Sequence, residues 1–455
     1  MFENDAIHNF ADHVIGTRYE DLPAETVAAT KKYLLDSLGV GLAGTRAPFV
    51  QEWLSAYQGA VPGPGGRIWG IGGELPTPAA AAVNGYLIHN SEFDCVHEPA
   101  VLHPMAVTLS ALMVEAEARG GVSGKELIRA IALGVDVACH IGNAVTSGLK
   151  FFRPATGGGF GAVAAIGAVA GLDREQLLNA FGIYYAQASG TMQAHTEGLA
   201  LLAMQIGFDS RNAVVAVRLA EQGIPGTRGT LEGPFGYLNL MEGAYDRAAL
   251  LDDIGKIWRI TEVAHKPFPS GRATHGVIDA LRGLVAEHGI TGDTVASVIA
   301  SVPPLTHRLI GRPIKDGMTP NYARLSGPYC AARLLLSGDL GVDDFLDAPL
   351  SDPTTLDLGR RVSIEADGNP DPNALTPITV TVRMTDGAEH TATLSTVYGN
   401  PAKPMTHEAH LAKFRRNVTF CGTVPEAQGE RLIGLVDDLE NVADVAILID
   451  QLMPG

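Results

Sequence analysis

The sequence predicts a mainly α protein with a large helical domain and a smaller α+β domain. Three observations predict it. Helical apolar periodicity dominates residues 1 to about 265. Between about 270 and 405, helical stretches alternate with β-type runs, among them an alternating Ile378, Val380, Val382, Met384 pattern followed by an Asp386-Gly387 turn. After Pro401 and Pro404 the helical pattern returns. The boundaries follow: residues 1–267 and 406–455 form the helical domain and 268–405 the α+β domain, with the C-terminal tail expected to pack back on the first.

Each element has a local signal. Leu22-Pro23-Ala24-Glu25 opens a helix through Leu42, with Val27, Tyr33, Leu34, Leu38 and Val40 on its apolar side. Arg67 to Ile71 reads as at most a short extended piece. Thr77-Pro78 caps a helix through Leu87, and Pro104 opens another through Val114. Ser123-Gly-Lys-Glu126 is a capping box for a long helix ending near Val145, and Asp173 to Gln176 starts the next in the same way. Many of these helices carry Ala and Gly on several faces, as helices packed closely inside a bundle do. In the second region a helix is expected over about 274–288, a strand over Ala296–Val302, a helix over Asn321–Leu336, and a hairpin from Ile378 to Val397. The tail is expected to form helices from His407 through Arg416 and from Pro425 through Leu439.

Composition narrows the function. The 455 residues include 33 basic and 50 acidic side chains, a net charge of −17, which argues against nucleic acid or an anionic membrane as the main partner. An acidic small molecule stays compatible, because a basic pocket can sit in an acidic protein. Cys95, Cys139, Cys330 and Cys421 are scattered without metal-ribbon spacing, which fits a reduced, cytoplasmic setting. The start lacks a signal-peptide pattern, and no run has the length and Leu/Ile density of a membrane span.

Four stretches carry candidate chemistry. The first is the elbow His265-Lys266-Pro267-Phe268-Pro269-Ser270-Gly271-Arg272-Ala273-Thr274-His275. Its prolines stiffen the backbone until Ser270, and a helix follows from about His275. A stiff elbow can fix a lysine whose stem is otherwise flexible, and a lysine of lowered pKa can remove a proton beside a carboxylate. The second is the loop Glu92-Phe-Asp94-Cys-Val-His97-Glu-Pro-Ala-Val-Leu-His103-Pro104. Asp94, His97 and His103 suit general acid–base work or metal ligation, although their spacing matches no zinc motif. The third is Lys150-Phe-Phe-Arg153-Pro154 with the glycines that follow. Arg153 can grip a carboxylate, whereas Gly159-x-Gly161-x-x-Ala164 lacks the strand and βαβ context of a dinucleotide fingerprint and reads as helix packing. The fourth joins His307, Arg308 and Arg312 to Tyr322, Arg324 and Tyr329. Its arginines suit carboxylate binding and Tyr329 suits proton donation, against the plainer reading of surface ion pairs and a core tyrosine.

Six ordered blocks, EFDCVHEPAVLHP, ALMVEAEARGGVSGKELIRAIALGVDV, RPATGGGFGAVAAIGAVAGLD, HKPFPSGRATHGVIDAL, ARLSGPY and GNPAKPMTHEAHLAKF, together resemble the MmgE/PrpD family over nearly the whole chain. The resemblance implies a helical domain, an α+β lid, a cleft between them and a homodimer. It also implies cofactor-independent proton chemistry on di- or tricarboxylates, by dehydration, decarboxylation or epimerisation. Carried residue by residue, Asp94 and His103 match the family's loop acid and histidine, Lys266 its lysine before the Pro-aromatic-Pro turn, His275 the histidine opening the next helix, and Tyr329 the S-x-P-Y tyrosine. Lys266 or His103 is then the expected base and Tyr329 or His275 the acid. Arg153 and Arg272 are the expected carboxylate clamps, and His97 and Gln205 complete the substrate-binding set. No metal or other cofactor is expected. The chain departs from the pattern at Arg153, where members often have His, and at Leu202 and Gln205, where dehydratases and decarboxylases often have Lys and His. Asp94-Cys95-Val96 replaces Asp-Asp-Thr. These departures favour a different substrate or a one-base isomerisation. Two other readings compete: a metal-dependent hydrolase built on Asp94, His97 and His103, and a non-catalytic polycarboxylate-binding protein.

Overall fold

A computed structural model of the chain describes residues 2–57 and 65–455. Its apolar side chains gather in two main clusters. The larger is built from helices that include Ala24–Ala43, Thr77–His89, Pro104–Arg119, Gly124–Asn143, Gly158–Ala170 and Leu201–Glu221. Small residues set their spacing. A side chain at Gly159 would run into the Tyr184 ring, and one at Gly161 into the backbone of Gly134 on the neighbouring helix. The glycine-rich stretch therefore serves helix contact, as its missing strand suggested.

The caps fall where the sequence puts them. Ser123 Oγ accepts from the Glu126 backbone while Glu126 reaches back to the Ser123 N–H, and Asp173 and Gln176 repeat the arrangement. The C-terminal helices His407–Cys421 and Glu426–Asp437 join the larger cluster through Phe414, Val418, Leu432 and Val436. Among the described residues no helix is long and apolar enough to cross a membrane.

The smaller cluster surrounds a four-stranded sheet in the order Val362–Ala366, Val295–Val302, Ile378–Met384, Glu389–Leu394. The first pair is parallel and the other two are antiparallel, with Val298 opposite Val382 and Ile378 opposite Leu394. Val295, Val298, Ala300, Val302, Ile378, Val380 and Val382 are buried, and helices His275–His288 and Gly327–Ser337 pack against the sheet. On the exposed side Thr379 and Thr381 pair with Thr393 and Thr391, each Oγ–Oγ distance being 2.9 Å.

Three expectations change in detail. Arg67–Ile71 is mostly turn; the extended pieces are Gly65–Arg67 and Glu74–Pro76, paired antiparallel. The helix expected over Asn321–Leu336 is two helices, Pro320–Arg324 and Gly327–Ser337. Ser326 separates them because its Oγ caps the Tyr329 N–H at 3.3 Å and Pro328 starts the new helix. The hairpin's second strand stops at Leu394 instead of Val397.

Candidate active site

One backbone link joins the loop to the approach of the elbow, and a second closes the loop on itself. Val96 and Ala264 exchange N–H···O bonds of 3.0 and 2.7 Å, which lays the approach to Lys266 along the loop. His97 and Leu102 pair likewise at 2.8 and 3.2 Å, closing the loop and aiming His103 at the start of the next helix. The folded loop holds two non-glycine residues in the left-handed region, Glu92 at φ 50° and Val101 at φ 48°. Such positions cost on the order of 1–3 kcal/mol each and persist only when the surroundings enforce them. On the elbow side His265 N–H donates to the Gly399 carbonyl at 2.8 Å, where φ is 92° and any side chain would strike the His265 backbone.

The result is a buried charged cluster. Lys266 is 0% exposed, and its Nζ donates to Glu92 Oε2 at 2.9 Å and to the Glu92 carbonyl at 3.0 Å. Asp94 Oδ2 lies 3.0 Å from His89 Nδ1 and 3.2 Å from His103 Nδ1, and the two imidazoles meet edge to face at 4.8 Å. Burial opposes charge on Asp94, but the flanking histidines hold its carboxyl well below the usual range. Glu92 is drawn down to about 2: burial works against this, and Lys266, His89 and His103 overcome it. Burial would also lower His89, yet Asp94 and Glu92 raise it. His103 moves the other way, lowered chiefly by burial despite Asp94.

These directions fix the protons. An ionised Asp94 only accepts hydrogen bonds, so both Nδ1 atoms carry hydrogen. A neutral His103 then has its lone pair on Nε2. That is the arrangement of a base oriented by a carboxylate.

His103 and Glu92 line a partly open cavity of about 80 Å³ together with His195, Arg272 and apolar side chains that include Val101, Phe152, Leu202 and Leu325. Its walls come from both clusters, with Leu309, Ile310 and Leu375 contributed by the α+β region. Larger hollows open on the surface, one of about 830 Å³ beside Lys31, Lys32 and Glu440, but it contains none of the loop's groups.

The other candidates lie elsewhere or are already engaged. Arg153 is fully buried and forms a fork-to-fork pair with Glu242 at 2.9 and 3.0 Å, with a third bond to the Ala100 carbonyl, so it braces the helices instead of offering a clamp. Arg272 reaches the cavity wall, but its Nε is 2.5 Å from Glu98 Oε1 and its Nη1 donates to the Tyr398 carbonyl at 2.8 Å. His275 donates from Nε2 to the Ser270 carbonyl at 3.1 Å and accepts from Arg272 at 3.3 Å, so both ring nitrogens hold the elbow and neither is available as an acid. Burial, then Arg272, keeps His275 well below the usual histidine range. Tyr329 belongs to the smaller cluster, its hydroxyl donating to the Asp344 carbonyl, and burial raises its pKa further. His97 points away from Asp94 toward Glu262 at 3.1 Å, which separates the Asp94, His97 and His103 set read as metal ligands. Gln205 Oε1 accepts from the Thr191 N–H at 2.7 Å and so pins a neighbouring loop.

His89, Glu92 and His195 also belong to this cluster and cavity, and sequence reasoning gives none of them a role. His89 closes the helix just before the loop, and its signal was the H-x4-D spacing to Asp94. Glu92 stood in the loop without a role. His195, in the short helix Gln193–Glu197, had no local signal. His89 supplies the third member of a cluster, with Asp94 and His103, whose ligand atoms lie within 4.8 Å of one another; Asp36, His265 and His410 form a second such cluster.

Comparison with known proteins gives a consistent picture. The MmgE/PrpD N-terminal domain matches residues 8–248 and the MmgE/PrpD C-terminal domain matches residues 268–441. Cis-aconitate decarboxylase of Homo sapiens is 28% identical over 97% of this chain and 93% of its own length. The Mus musculus protein of the same name is 27% identical over 98% and 93%. That of Aspergillus terreus is 26% identical over 95% and 93%.

Proposed function

The chain belongs to the MmgE/PrpD family of enzymes, and on that premise we propose that it is a cofactor-independent lyase that removes a proton beside a carboxylate. His103 Nε2 is the base. The observation that carries this reading is the shared Asp94 Oδ2, which accepts from the Nδ1 of both His89 and His103 and leaves His103 Nε2 as the lone pair at the cavity wall. The proton passes to Nε2 and the electron pair flows into the carboxylate as an enediolate. That pair then expels a substituent on the adjacent carbon. Lys266 acts as an ammonium, because Glu92 beside it is ionised, and two of its three N–H groups are committed to Glu92. It supplies positive field to the developing enediolate instead of taking the proton.

The names of the relatives make di- and tricarboxylates the first substrates to test. A cavity of about 80 Å³ is far below the several hundred Å³ that enclose a typical ligand, so the walls part for entry. The α+β region 268–405 is the lid that moves, and it closes over the helical unit formed by 1–267 and 406–455. The chain works as a homodimer in the cytoplasm. Proton NMR in deuterated water tests the chemistry. Deuterium entering beside a carboxylate with the wild type and not with His103→Gln supports it. Equal exchange by the two proteins rejects His103 as the base.

An epimerase is the second reading, favoured by the loss of cationic side chains at Leu202 and Gln205. It requires reprotonation of the same enediolate without loss of a group, and the same spectra separate the two.

A further inference from the structure

The cavity contains few polar groups free to meet a substrate. Of its polar lining, Glu92 is committed to Lys266 and Arg272 to Glu98. That leaves His103, which provides the base, and His195. Most of the remaining wall is apolar, including Leu149, Phe152, Met192, Leu202, Leu309 and Leu375.

His195 has a defined proton. Arg312 Nη2 donates to its Nδ1 at 3.1 Å, so the hydrogen of the neutral ring sits on Nε2. Burial, then Arg312, brings its pKa down to about 4, which keeps the ring neutral near pH 7. The side chain is buried, with the residue 7% exposed, and Nε2 has no hydrogen-bond partner among the described residues. Arg312 itself is 9% exposed, donates from Nη2 to the His195 carbonyl as well, pairs with no carboxylate among the described residues, and leaves Nη1 without a partner. The Glu92 charge acts on both His195 and Arg312, but among the described residues no carboxylate bonds to either, and a buried guanidinium beside a buried N–H lacking an acceptor leaves a place for one negative group.

We propose that the substrate docks one carboxylate on His195 Nε2–H, backed by Arg312, and lays an aliphatic or aromatic arm along Leu149, Phe152, Met192 and Leu202, so that this chain selects carboxylates with an apolar substituent over tricarboxylates. The inference rests on the proton-abstraction reading above and deepens it by naming the substrate class. A further carboxylate of a tricarboxylate would lie against Leu202 and its apolar neighbours, where nothing hydrogen-bonds it. Arg312 is a positioning residue: it fixes the tautomer of His195 without touching the substrate.

The test uses tricarballylate, methylsuccinate and hexylsuccinate as probes. Binding is measured by calorimetry, and deuterium exchange by NMR. Hexylsuccinate is expected to bind at least about tenfold more tightly than tricarballylate, a ratio that two or three buried methylenes supply. His195→Ala is expected to weaken hexylsuccinate binding by about tenfold or more with a smaller effect on exchange at saturation, and His195→Gln to recover part of it. Leu202→Lys, or Leu202→Gln if the lysine variant does not fold, is expected to shift preference toward tricarballylate. Tricarballylate binding as tightly as hexylsuccinate, or His195→Ala binding hexylsuccinate like the wild type, overturns the inference. Binding in the expected order without exchange on any probe would instead count against the proton-abstraction reading alone.

Discussion

The Lys266 ammonium lies 2.9 Å from Glu92 Oε2, and both side chains are buried. The elbow lysine that stood out in the sequence is thus half of an ion pair spanning 174 positions of chain. Removing one partner strands the other charge in the interior. Lys266→Ala is therefore expected to lower stability by roughly 3–5 kcal/mol as well as to reduce turnover. The double variant Lys266→Ala with Glu92→Gln should regain part of that stability, with a coupling of about 0.5–3 kcal/mol, and should keep the reduced turnover. Denaturant unfolding and turnover of Lys266→Ala, Glu92→Gln and the double variant check this.

His103→Gln is expected to fold like the wild type and to lose roughly 10²–10⁴-fold in turnover, the usual scale for a general base. Asp94→Asn should lose a comparable amount, since an amide in place of the carboxylate no longer fixes hydrogen on His103 Nδ1. Normal circular dichroism with near-native turnover in either variant would remove that residue from the mechanism.

The pH profile of turnover should show an acid limb set by His103. The base must be unprotonated, and burial lowers its pKa despite Asp94. The limb is expected below the ordinary histidine value, with activity falling as pH drops through it and no loss between that value and pH 8. A limb above the ordinary value would point to another group.

Stability should fall in the same direction. His140, His195 and His410 titrate at about 4 in the folded chain, chiefly through burial, against 6.5 in the unfolded chain. Between these values the unfolded state binds more protons. The stabilisation is intact above 6.5 and is lost as pH falls toward 4, by up to about 3 kcal/mol per group. Glu92, drawn down to about 2, adds a loss at lower pH as it protonates. Asp209, raised to about 8 by burial, adds stability over the same range and offsets part of this loss. The melting temperature is therefore expected to drop from pH 6.5 to 4 in the wild type and more steeply in Asp209→Asn; no drop in Asp209→Asn would contradict the burial assigned to the histidines.

Arg153→Ala is expected to destabilise the fold by roughly 3–5 kcal/mol, because it leaves Glu242 buried and unpaired. The fraction that stays folded should keep near-native substrate affinity. A large rise in KM with unchanged stability would restore Arg153 as a carboxylate clamp.

Prolonged chelation is expected to leave turnover intact. Asp94 already receives an N–H from both His89 and His103, so an ion there would have to displace two hydrogen bonds. Activity lost on chelation and restored by zinc would return the metal-dependent reading.

The elements of this fold could be read from local chemistry. The capping boxes at Ser123 and Asp173, the prolines at Pro23 and Pro104, the Asp386-Gly387 turn and the alternation from Ile378 to Met384 act within a few residues of themselves, so the chain fixes them without reference to distant parts. The loop acid, the loop histidine and the elbow lysine were likewise visible as residue types with the right chemistry. Their partners were not. Arg153 and Arg272 looked like free cations until Glu242 and Glu98, 89 and 174 positions away, were brought against them. His89 was hidden at the end of one helix and His195 in a short one, and only folding set one beside Asp94 and the other beside Arg312. Sequence spacing governs local hydrogen bonding and periodicity, whereas the charge state and availability of a buried group depend on which distant groups share its low-dielectric surroundings, and those are settled only when the helices pack.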